Sequence, residues 1–424
     1  MKKSNIPTLS LVGKQLRDKQ IALFLIKKRN NAIFFNVMSN IVLVLDWSNL
    51  LYRSLFMTQL FHQGVSYEDK EDVNSFIRKF STDVLYILKT FNPQNVVIAA
   101  DSRNPWRKDI LADTVVGYKG NRQHSDNFNW ANIFNAADSL LAHFEKLGIG
   151  VAKVDRGEAD DIMAMCKELV FSKFPNENMI IVSADADVQQ LISFDNSTHQ
   201  YCVVYNTIAK GKGGKRMLYA PKGFIDWVNE PEKNDIFFSN VVDANKAYIK
   251  NVLSTNSNIE LKEENGDDIV LKKIFCGDDG DCVPSFYEWF DNGKKKRVTP
   301  AKFSKICESL EIKDTKSLVD KSILLKPNME RILKVELNDI DVEERLNRQR
   351  VLVELNSDLF PEGIKKYKET LSYMLDKVLN IDFRSMNIRN FLEGTEWSAP
   401  VVSKVEKQLF NDIDKYTKNL KKLF

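Results

Sequence analysis

The chain has 424 residues, of which 43% are hydrophobic, so it can form one large domain or two smaller ones and is not expected to be disordered. Its 61 Lys and Arg stand against 58 Asp and Glu, which excludes a uniformly basic protein and leaves two large opposing charge populations. Five cysteines without a C-x-x-C pair, and only four histidines, favour reduced thiols over a zinc site. No apolar run approaches the roughly 20 residues of a membrane span, so we expect a soluble protein.

The first 37 residues are basic and partly amphipathic, and we interpret them as an N-terminal extension, either an upstream start or a partner-binding arm. Beyond them, apolar runs alternate with helical periodicity. The apolar runs predict strands at Ile41–Leu45, Asn95–Ala100, Gly150–Val154 and Met179–Val182. The periodic segments predict helices at Val73–Phe91, Trp130–Leu147 and Ala159–Phe174. This order predicts an α/β fold, with a central, mostly parallel sheet flanked by helices, in a core domain at 38–235.

The alternation ends near residue 198. A hairpin is predicted from Tyr201–Ile208 and Met217–Ala220, joined by a Gly- and Lys-rich loop that is either a substrate contact or a flexible turn. The region at 236–424 is predicted to be mainly helical, with helices at Ile364–Val378 and Val401–Phe424. The last six residues, 419–424, are either a fraying helix end or a short hydrophobic tail for a sliding clamp.

An acidic residue follows each predicted strand: Asp46, Asp101, Asp155 and Asp185. Because ligands of open α/β sheets bind at the carboxyl ends of the strands, we expect acids from distant positions to converge there. Hard divalent cations prefer such oxygen ligands, and two ions can promote an in-line phosphodiester displacement. Each acid alone has a plainer explanation, since acids also cap helices and turns.

Five acidic motifs, taken in order, resemble those of the flap endonuclease and 5′-to-3′ exonuclease superfamily. They are Val42-Leu-Val-Leu-Asp46, Val97-Ile-Ala-Ala-Asp101, Glu158-Ala-Asp-Asp161, Ser183-Ala-Asp-Ala-Asp187 and Gly277-Asp-Asp-Gly-Asp281. Between the second and third lies Tyr118-Lys-Gly-Asn-Arg122, which resembles the Tyr-Lys-x-x-Arg element of bacterial and phage 5′ nucleases. The resemblance covers about residues 41–310 and is strongest to the ribonucleases H of T-even bacteriophages.

The resemblance implies a metal-dependent 5′ nuclease with two Mg²⁺ ions, for which Mn²⁺ could substitute. The first ion would be held by Asp46, Asp101, Glu158, Asp160 and Asp185, with Asp161 nearby. The second would be held by Asp187, Asp278 and Asp281.

The implied substrates are 5′ ends, flaps and nicks in DNA or RNA·DNA duplexes, cut during RNA primer and flap removal in phage DNA replication. We also expect a monomer in the host cell cytoplasm. A single-stranded DNA-binding protein and a sliding clamp are the candidate protein partners.

Basic residues in an arch at about 102–130 are the candidates to neutralise phosphate charge and stabilise the transition state. Lys119 and Arg122 come first and Arg107 and Lys108 second, with a solvated loop as the alternative. The aromatic residues of this segment either stack on bases or pack in the core: Trp106, Tyr118, Phe128 and Trp130.

A helix-hairpin element that holds duplex phosphates is implied at about 270–312. Ser285 to Phe290 replace the glycines of relatives, which argues against their cation-bridged contact, and Thr299-Pro300 predicts a helix start. The candidate nucleic-acid contacts are Lys294, Lys295, Lys296, Arg297, Lys302 and Lys305, and the run at 294–297 is otherwise a solvated loop.

Two rival functions share parts of this pattern. A non-catalytic DNA-junction binder on the same scaffold would have lost metal ligands, whereas every inferred ligand position here is acidic. A PIN-type ribonuclease also places acids after strands, but it lacks the arch and the long C-terminal half.

Overall fold

The first strand, β1 (Ile41–Asp46), is buried along its whole length because its apolar side chains point to both faces of a sheet. Ile41, Leu43 and Leu45 pack in one hydrophobic cluster. Val42 and Val44 pack in a second cluster on the opposite face. Both faces of the sheet are therefore covered.

The chain is described here by a computed structural model that covers residues 40–61, 65–122, 128–210, 214–231, 241–337 and 341–398. The predicted N-terminal extension, the helix at Val401–Phe424 and the tail at 419–424 lie outside these residues. None of the helices within the covered ranges is both long and apolar enough to cross a membrane.

Within these residues the sheet has eight strands, of which seven follow the spatial order β3-β2-β1-β4-β6-β7-β8 while β5 pairs with β6. The further strands are β2 (Asn95–Ala99), β3 (Gly150–Ala152), β4 (Asn178–Val182), β5 (Ser193–Phe194), β6 (Tyr201–Lys210), β7 (Lys215–Ala220) and β8 (Ile259–Glu263). The strands β1, β2, β3, β4 and β6 are parallel, and β7 is antiparallel to β6. The predicted α/β fold with a mostly parallel sheet is confirmed.

Helices flank this sheet. They are α1 (Trp47–Phe61), α2 (Lys70–Phe91), α3 (Arg107–Ile110), α4 (Trp130–Lys146), α5 (Ala159–Lys173), α6 (Lys222–Asn229) and α7 (Val241–Thr255). The buried face of α2 carries Val73, Phe76, Ile77 and Phe80 at helical spacing, which explains why the sequence pattern predicts this helix. The three predicted helices are observed within a few residues of their expected bounds.

The C-terminal half is mainly helical, as predicted. Its helices are α8 (Gly266–Cys276), α9 (Pro300–Leu310), α10 (Thr315–Asp320), α11 (Ser322–Leu333), α12 (Val342–Val353), α13 (Glu362–Lys365), α14 (Lys368–Leu375) and α15 (Ile388–Phe391). The single helix predicted at Ile364–Val378 is wrong, because the chain turns between α13 and α14. A third hydrophobic cluster joins α8 to α12 and also takes in Leu111 and Tyr118.

A two-stranded hairpin, β9 (Glu288–Asp291) and β10 (Lys294–Arg297), separates α8 from α9. Its turn residues Asn292 and Gly293 both have positive φ, as a two-residue hairpin loop requires. The basic run at 294–297 is thus a strand rather than the loop that its composition suggested. The parallel strand β8 was also missed, because its alternating sequence buries only Ile259 fully.

Candidate metal centre and arch

The carboxyl ends of β1 and β4 are held together by a small hydrogen-bond network. The Asp46 carboxylate accepts from the Ser183 hydroxyl at 2.6 Å and from the Asn49 backbone N–H at 3.1 Å. The Asn49 side-chain oxygen in turn accepts from the Ala184 N–H at 3.0 Å. Because Leu45 pairs with Val182 in the sheet, the acid that ends β1 and the acids that follow β4 lie side by side.

The other acids reach the same place from two further elements. Asp101 follows β2, and its carboxylate accepts from the Ala159 N–H at 2.8 Å, which ties it to the start of α5. The Asp185 N–H donates to the Ser183 hydroxyl at 3.0 Å. One serine therefore orients acids on both sides of it.

Five of the predicted ligands line one cleft with a volume of about 1090 Å³, and we call them the first acid group: Asp46, Asp101, Glu158, Asp160 and Asp185. All their donors are oxygens, which is the set that hard divalent cations prefer. Asp155, the acid after β3, is exposed and does not line the cleft. Its predicted convergence with the other acids is wrong, because the turn at 155–157 points it to solvent.

The carboxylates of this group crowd one another. Burial, followed by repulsion from Asp101, raises the pKa of Asp46 to about 7. Burial and the nearby Asp185 also raise the pKa of Asp160. Within the covered ranges, Asp46, Asp101, Asp160 and Asp185 form no salt bridge with Lys or Arg. A cation bound among these carboxylates would relieve their mutual repulsion, which no salt bridge to these four acids offsets in the covered ranges.

Glu158 differs from its neighbours because it is paired with two cations. Its carboxylate lies 2.8 Å from Arg107 Nη1 and 2.5 Å from Lys119 Nζ. Burial alone would raise the pKa of Glu158, but Lys119 and Arg107 hold it below its ordinary value.

Arg107 does not reach the cleft, and its predicted contact with substrate phosphate is wrong. Its side chain is 1% exposed, lies between Glu158 and Asp161, and stacks on the Trp106 ring at 4.5 Å. Asp161 is equally buried, and its carboxylate also accepts from Trp106 Nε1 at 2.9 Å. Asp161 does not line the cleft with the other predicted ligands, and its carboxylate lies 2.8 Å from Arg107 Nη1.

The Tyr118 to Arg122 segment closes over the acids as a turn. The Tyr118 hydroxyl donates to Asp281 at 3.2 Å and lies 3.3 Å from Glu158. Lys119, in the left-handed region with φ 55°, donates its backbone N–H to the Asp281 carbonyl at 3.0 Å. Arg122, with a side chain 58% exposed, lies 2.6 Å from the Asp281 carboxylate. The segment from Tyr118 to Arg122 is thus held by Glu158 of the third acidic motif and by Asp281 of the last one.

The structure distinguishes the four aromatic residues that were predicted either to stack on bases or to pack in the core. Trp106, Tyr118 and Phe128 are buried in the core. Trp130 is half-buried and lines the cleft. Of these four, Trp130 is the one that lines the cleft.

The second predicted set forms a separate cluster, the second acid group: Asp187, Asp278 and Asp281. One carboxylate oxygen from each lies within 4.8 Å of the others. Asp278 and Val283 close a tight loop through backbone hydrogen bonds of 2.9 and 2.8 Å. Gly277 must be glycine there, because a Cβ would lie 2.5 Å from the Val283 carbonyl oxygen and its φ is +76°.

Lys273, on the last turn of α8, was not among the predicted site residues. Its ammonium contacts both Asp187 and Asp278 and is 16% exposed. Burial would raise the pKa of Asp278, but Lys273 holds it below its ordinary value. The only sequence signal was its place five residues before Asp278, which is too weak to assign it.

Six basic side chains line the same cleft, and three of them were not among the predicted site residues. Lys108 is exposed on α3 and lines the cleft with Lys119 and Arg122. Arg53, Arg103 and Lys153 also line it, and no sequence motif marks them. Cations and carboxylates thus face one another across this opening.

The predicted nucleic-acid contacts lie on the hairpin and on α9. Lys295 pairs with Glu288 at 2.7 Å, and Arg297 pairs with Asp279 at 2.6 Å. Lys302 lies over the Trp289 ring at 4.4 Å. Lys294, Lys296 and Lys305 are exposed.

The comparison with known families gives one matching model. Residues 41–222 match the 5′-3′ exonuclease N-terminal, resolvase-like domain. The range contains β1 to β7 and the first acid group.

Two curated relatives match a similar part of the chain. A 5′-3′ exonuclease of Mycoplasmopsis pulmonis is 32% identical over 152 residues, which is 35% of this chain and 44% of the relative. A DNA polymerase I of Lactococcus lactis subsp. cremoris is 28% identical over 156 residues, which is 36% of this chain and 16% of the relative. The chain therefore spans less than half the length of these relatives.

Among solved structures, the chain is similar to a bacteriophage T5 flap endonuclease in a pseudo-enzyme-product complex with DNA and metal ions. The identity is 14%, the TM-score 0.48, and the match covers 80% of this chain and all of that one. The T5 5′-exonuclease with bound zinc gives 13% identity and a TM-score of 0.47, over 79% of this chain and all of that one. The predicted resemblance to the 5′ nuclease superfamily is confirmed by the family model, which residues 41–222 match.

Proposed function

We propose that this protein is a divalent-metal-dependent 5′ nuclease that hydrolyses phosphodiesters near 5′ ends of DNA or RNA·DNA duplexes. The observation that carries the proposal is the first acid group, whose five carboxylates line one cleft, four of them without a salt bridge to Lys or Arg in the covered ranges. The 5′-3′ exonuclease domain at 41–222 supports the reaction class.

Mg²⁺ is the proposed physiological ion, with Mn²⁺ as a substitute. When bound, two such ions would activate a water and stabilise the leaving oxygen. The first acid group would hold one ion, and the second acid group would hold the other. Ser183 and Asn49 orient the Asp46 carboxylate for metal binding. Arg107, on the buried side of Glu158, helps to keep the Glu158 carboxylate ionised.

The arch supplies the groups that meet the phosphate. Arg122 and Lys108 are exposed at the cleft and can neutralise phosphate oxygens, and Lys119 lies between Glu158 and the opening. Arg122 is paired with Asp281 through one guanidinium nitrogen, so its remaining donors are available to a second anion. These residues would draw the negatively charged strand toward an acidic pocket that repels it.

The duplex would extend over the hairpin and α9. Lys294, Lys296 and Lys305 are exposed and form no salt bridge within the covered ranges, and Trp289 with Lys302 forms a cation–π pair on the same segment. Flap and RNA primer removal during replication is the proposed setting. The core at 38–235 is proposed to cleave the strand, and the region at 236–424 is proposed to bind the duplex.

The test uses a 5′-labelled flap, a nicked duplex, a gapped duplex and an RNA·DNA duplex, each incubated with purified protein and Mg²⁺. We expect short 5′ products, no products with EDTA, and recovery of cleavage with Mn²⁺. Products formed with EDTA present would contradict the mechanism. Tight binding without products on any substrate would instead favour the non-catalytic junction binder.

A further inference from the structure

The second acid group already contains a cation that belongs to the chain. The Lys273 ammonium donates to Asp187 and to Asp278, which are two of the three carboxylates that would hold the second ion. The first acid group has no such lysine within the covered ranges, apart from the Lys119 contact with Glu158. The two candidate ion positions therefore differ in how far the protein itself neutralises them.

The third member, Asp281, is also paired. Arg122 lies 2.6 Å and Lys119 3.7 Å from its carboxylate. A divalent ion entering this group therefore meets three carboxylates that are each in contact with a basic side chain. The Lys273 ammonium occupies one oxygen of Asp187 and one of Asp278, so an ion that binds between these two carboxylates competes with it for lone pairs and is repelled by its charge.

Lys273 is suited to this role by its position. Its four-carbon side chain emerges from the last turn of α8, which leads directly through Gly277 into the loop that carries Asp278 and Asp281. A lysine is a compact, flexible point charge, so it can swing away from a carboxylate pair without disturbing the helix. Its side chain is 16% exposed, so it has a path to solvent.

We propose that Lys273 is an internal competitor for the second divalent ion: it holds Asp187 and Asp278 in place without the ion and weakens the ion's binding. This inference rests on the proposed function, because it assigns the second ion to this acid group. It predicts that the two ion positions have unequal affinities and that Lys273 sets the difference.

The test is a titration of the protein with Mn²⁺, without nucleic acid, followed by calorimetry and by the paramagnetic resonance of the free ion. For Lys273→Met we expect a weaker class of site that tightens by about tenfold, or appears for the first time, while the tighter class stays unchanged. Lys273→Arg retains the charge and should keep the weaker class weak. Lys272→Met, which removes an exposed lysine on the same helix, should match the unaltered protein.

A second readout is thermal unfolding in EDTA. Lys273→Met should lower the melting temperature, since Asp187 and Asp278 lose their shared partner, and Mn²⁺ should restore it. A folded Lys273→Met protein whose weaker class is absent, unchanged or weaker would overturn the inference. The titration does not depend on cleavage, so it can be interpreted even if the protein proves inactive. If the protein cleaves but the weaker class of site does not respond to Lys273→Met, the role of Lys273 is refuted while the proposed function stands.

Discussion

The two acid groups of this protein are built from similar residues but are compensated in different ways. In the first, burial and mutual repulsion raise the pKa of Asp46 to about 7, and four of its five carboxylates have no salt bridge within the covered ranges. In the second, Lys273, Arg122 and Lys119 contact the carboxylates. The contrast teaches that the number of carboxylates alone does not define a metal site. The carboxylates that have no basic partner decide which group gains more from binding a cation.

The largest expected effect concerns the support of the first group. Arg107→Leu should lower the free energy of unfolding by about 3–5 kcal/mol, because it leaves Glu158 and Asp161 as buried charges without their shared partner. Urea denaturation measures this. Lys108→Leu, next in sequence but exposed, should change the value by less than about 0.5 kcal/mol. Equal effects of the two substitutions would show that the buried pairs do not support the site.

The next effect is the pH dependence of metal binding. Asp46, with a pKa of about 7, keeps a proton between pH 4 and 7 that the unfolded chain has lost. The metal-free protein should therefore lose stability as pH rises through this window. A divalent ion displaces that proton, so its apparent affinity should rise by up to about tenfold per pH unit between pH 5.5 and 7.

Calorimetry in two buffers of different ionisation enthalpy measures the released proton directly. Asp46→Asn should reduce the release, and the remainder should come from acids such as Asp160, whose pKa is also raised by burial. Asp278→Asn should leave it unchanged, because the pKa of Asp278 is already lowered by Lys273. Equal proton release in all three proteins would remove the electrostatic difference between the groups.

A smaller effect is expected at the arch. Arg122→Gln should slow cleavage by about tenfold, because one phosphate-facing donor is lost, yet cost under about 1 kcal/mol in stability as an exposed pair. Arg156→Gln breaks a comparable exposed pair with Asp109, 2.6 Å long, away from the cleft. Cleavage rates measured in parallel should fall only for Arg122→Gln, and a matching loss in both would point to a general effect of removing positive charge.

The smallest effect is expected on the hairpin, which follows the second acid group in the chain. Lys296→Ala should weaken duplex binding about threefold and reduce the salt dependence of the affinity by about one charge. Lys316→Ala, exposed on α10, is the control. Fluorescence anisotropy at several salt concentrations measures both, and identical salt slopes would take β10 out of the duplex contact.

The sheet was predictable because β1 and β4 are apolar on both faces and the helices between them have a clear periodic stripe. The convergence of Asp46, Asp101 and Asp185 also followed from strand order, because parallel neighbours end at one edge. The hairpin was missed although Asn292-Gly293 is a strong turn signal, since four consecutive basic residues carry no strand pattern.

The contacts between side chains that are distant in the chain could not be predicted from the sequence. Arg107 and Lys108 are adjacent and equally charged, yet one is buried against two acids and the other faces the cleft. Which one is buried depends on the fold of α3 against α5, over 50 residues later in the chain. Lys273 likewise gains its meaning only from contact with Asp187, 86 residues away.

The central claim is that the first acid group carries the chemistry of cleavage. The most direct measurement compares the cleavage rates of Asp185→Asn and Asp155→Asn on a 5′-labelled flap with Mg²⁺, alongside binding of the uncut flap. Both substitutions remove one carboxylate after a strand, but only Asp185 lines the cleft. We predict that Asp185→Asn loses at least about 100-fold in rate while it still binds the flap, and that Asp155→Asn retains its rate. Full cleavage by Asp185→Asn would contradict the account.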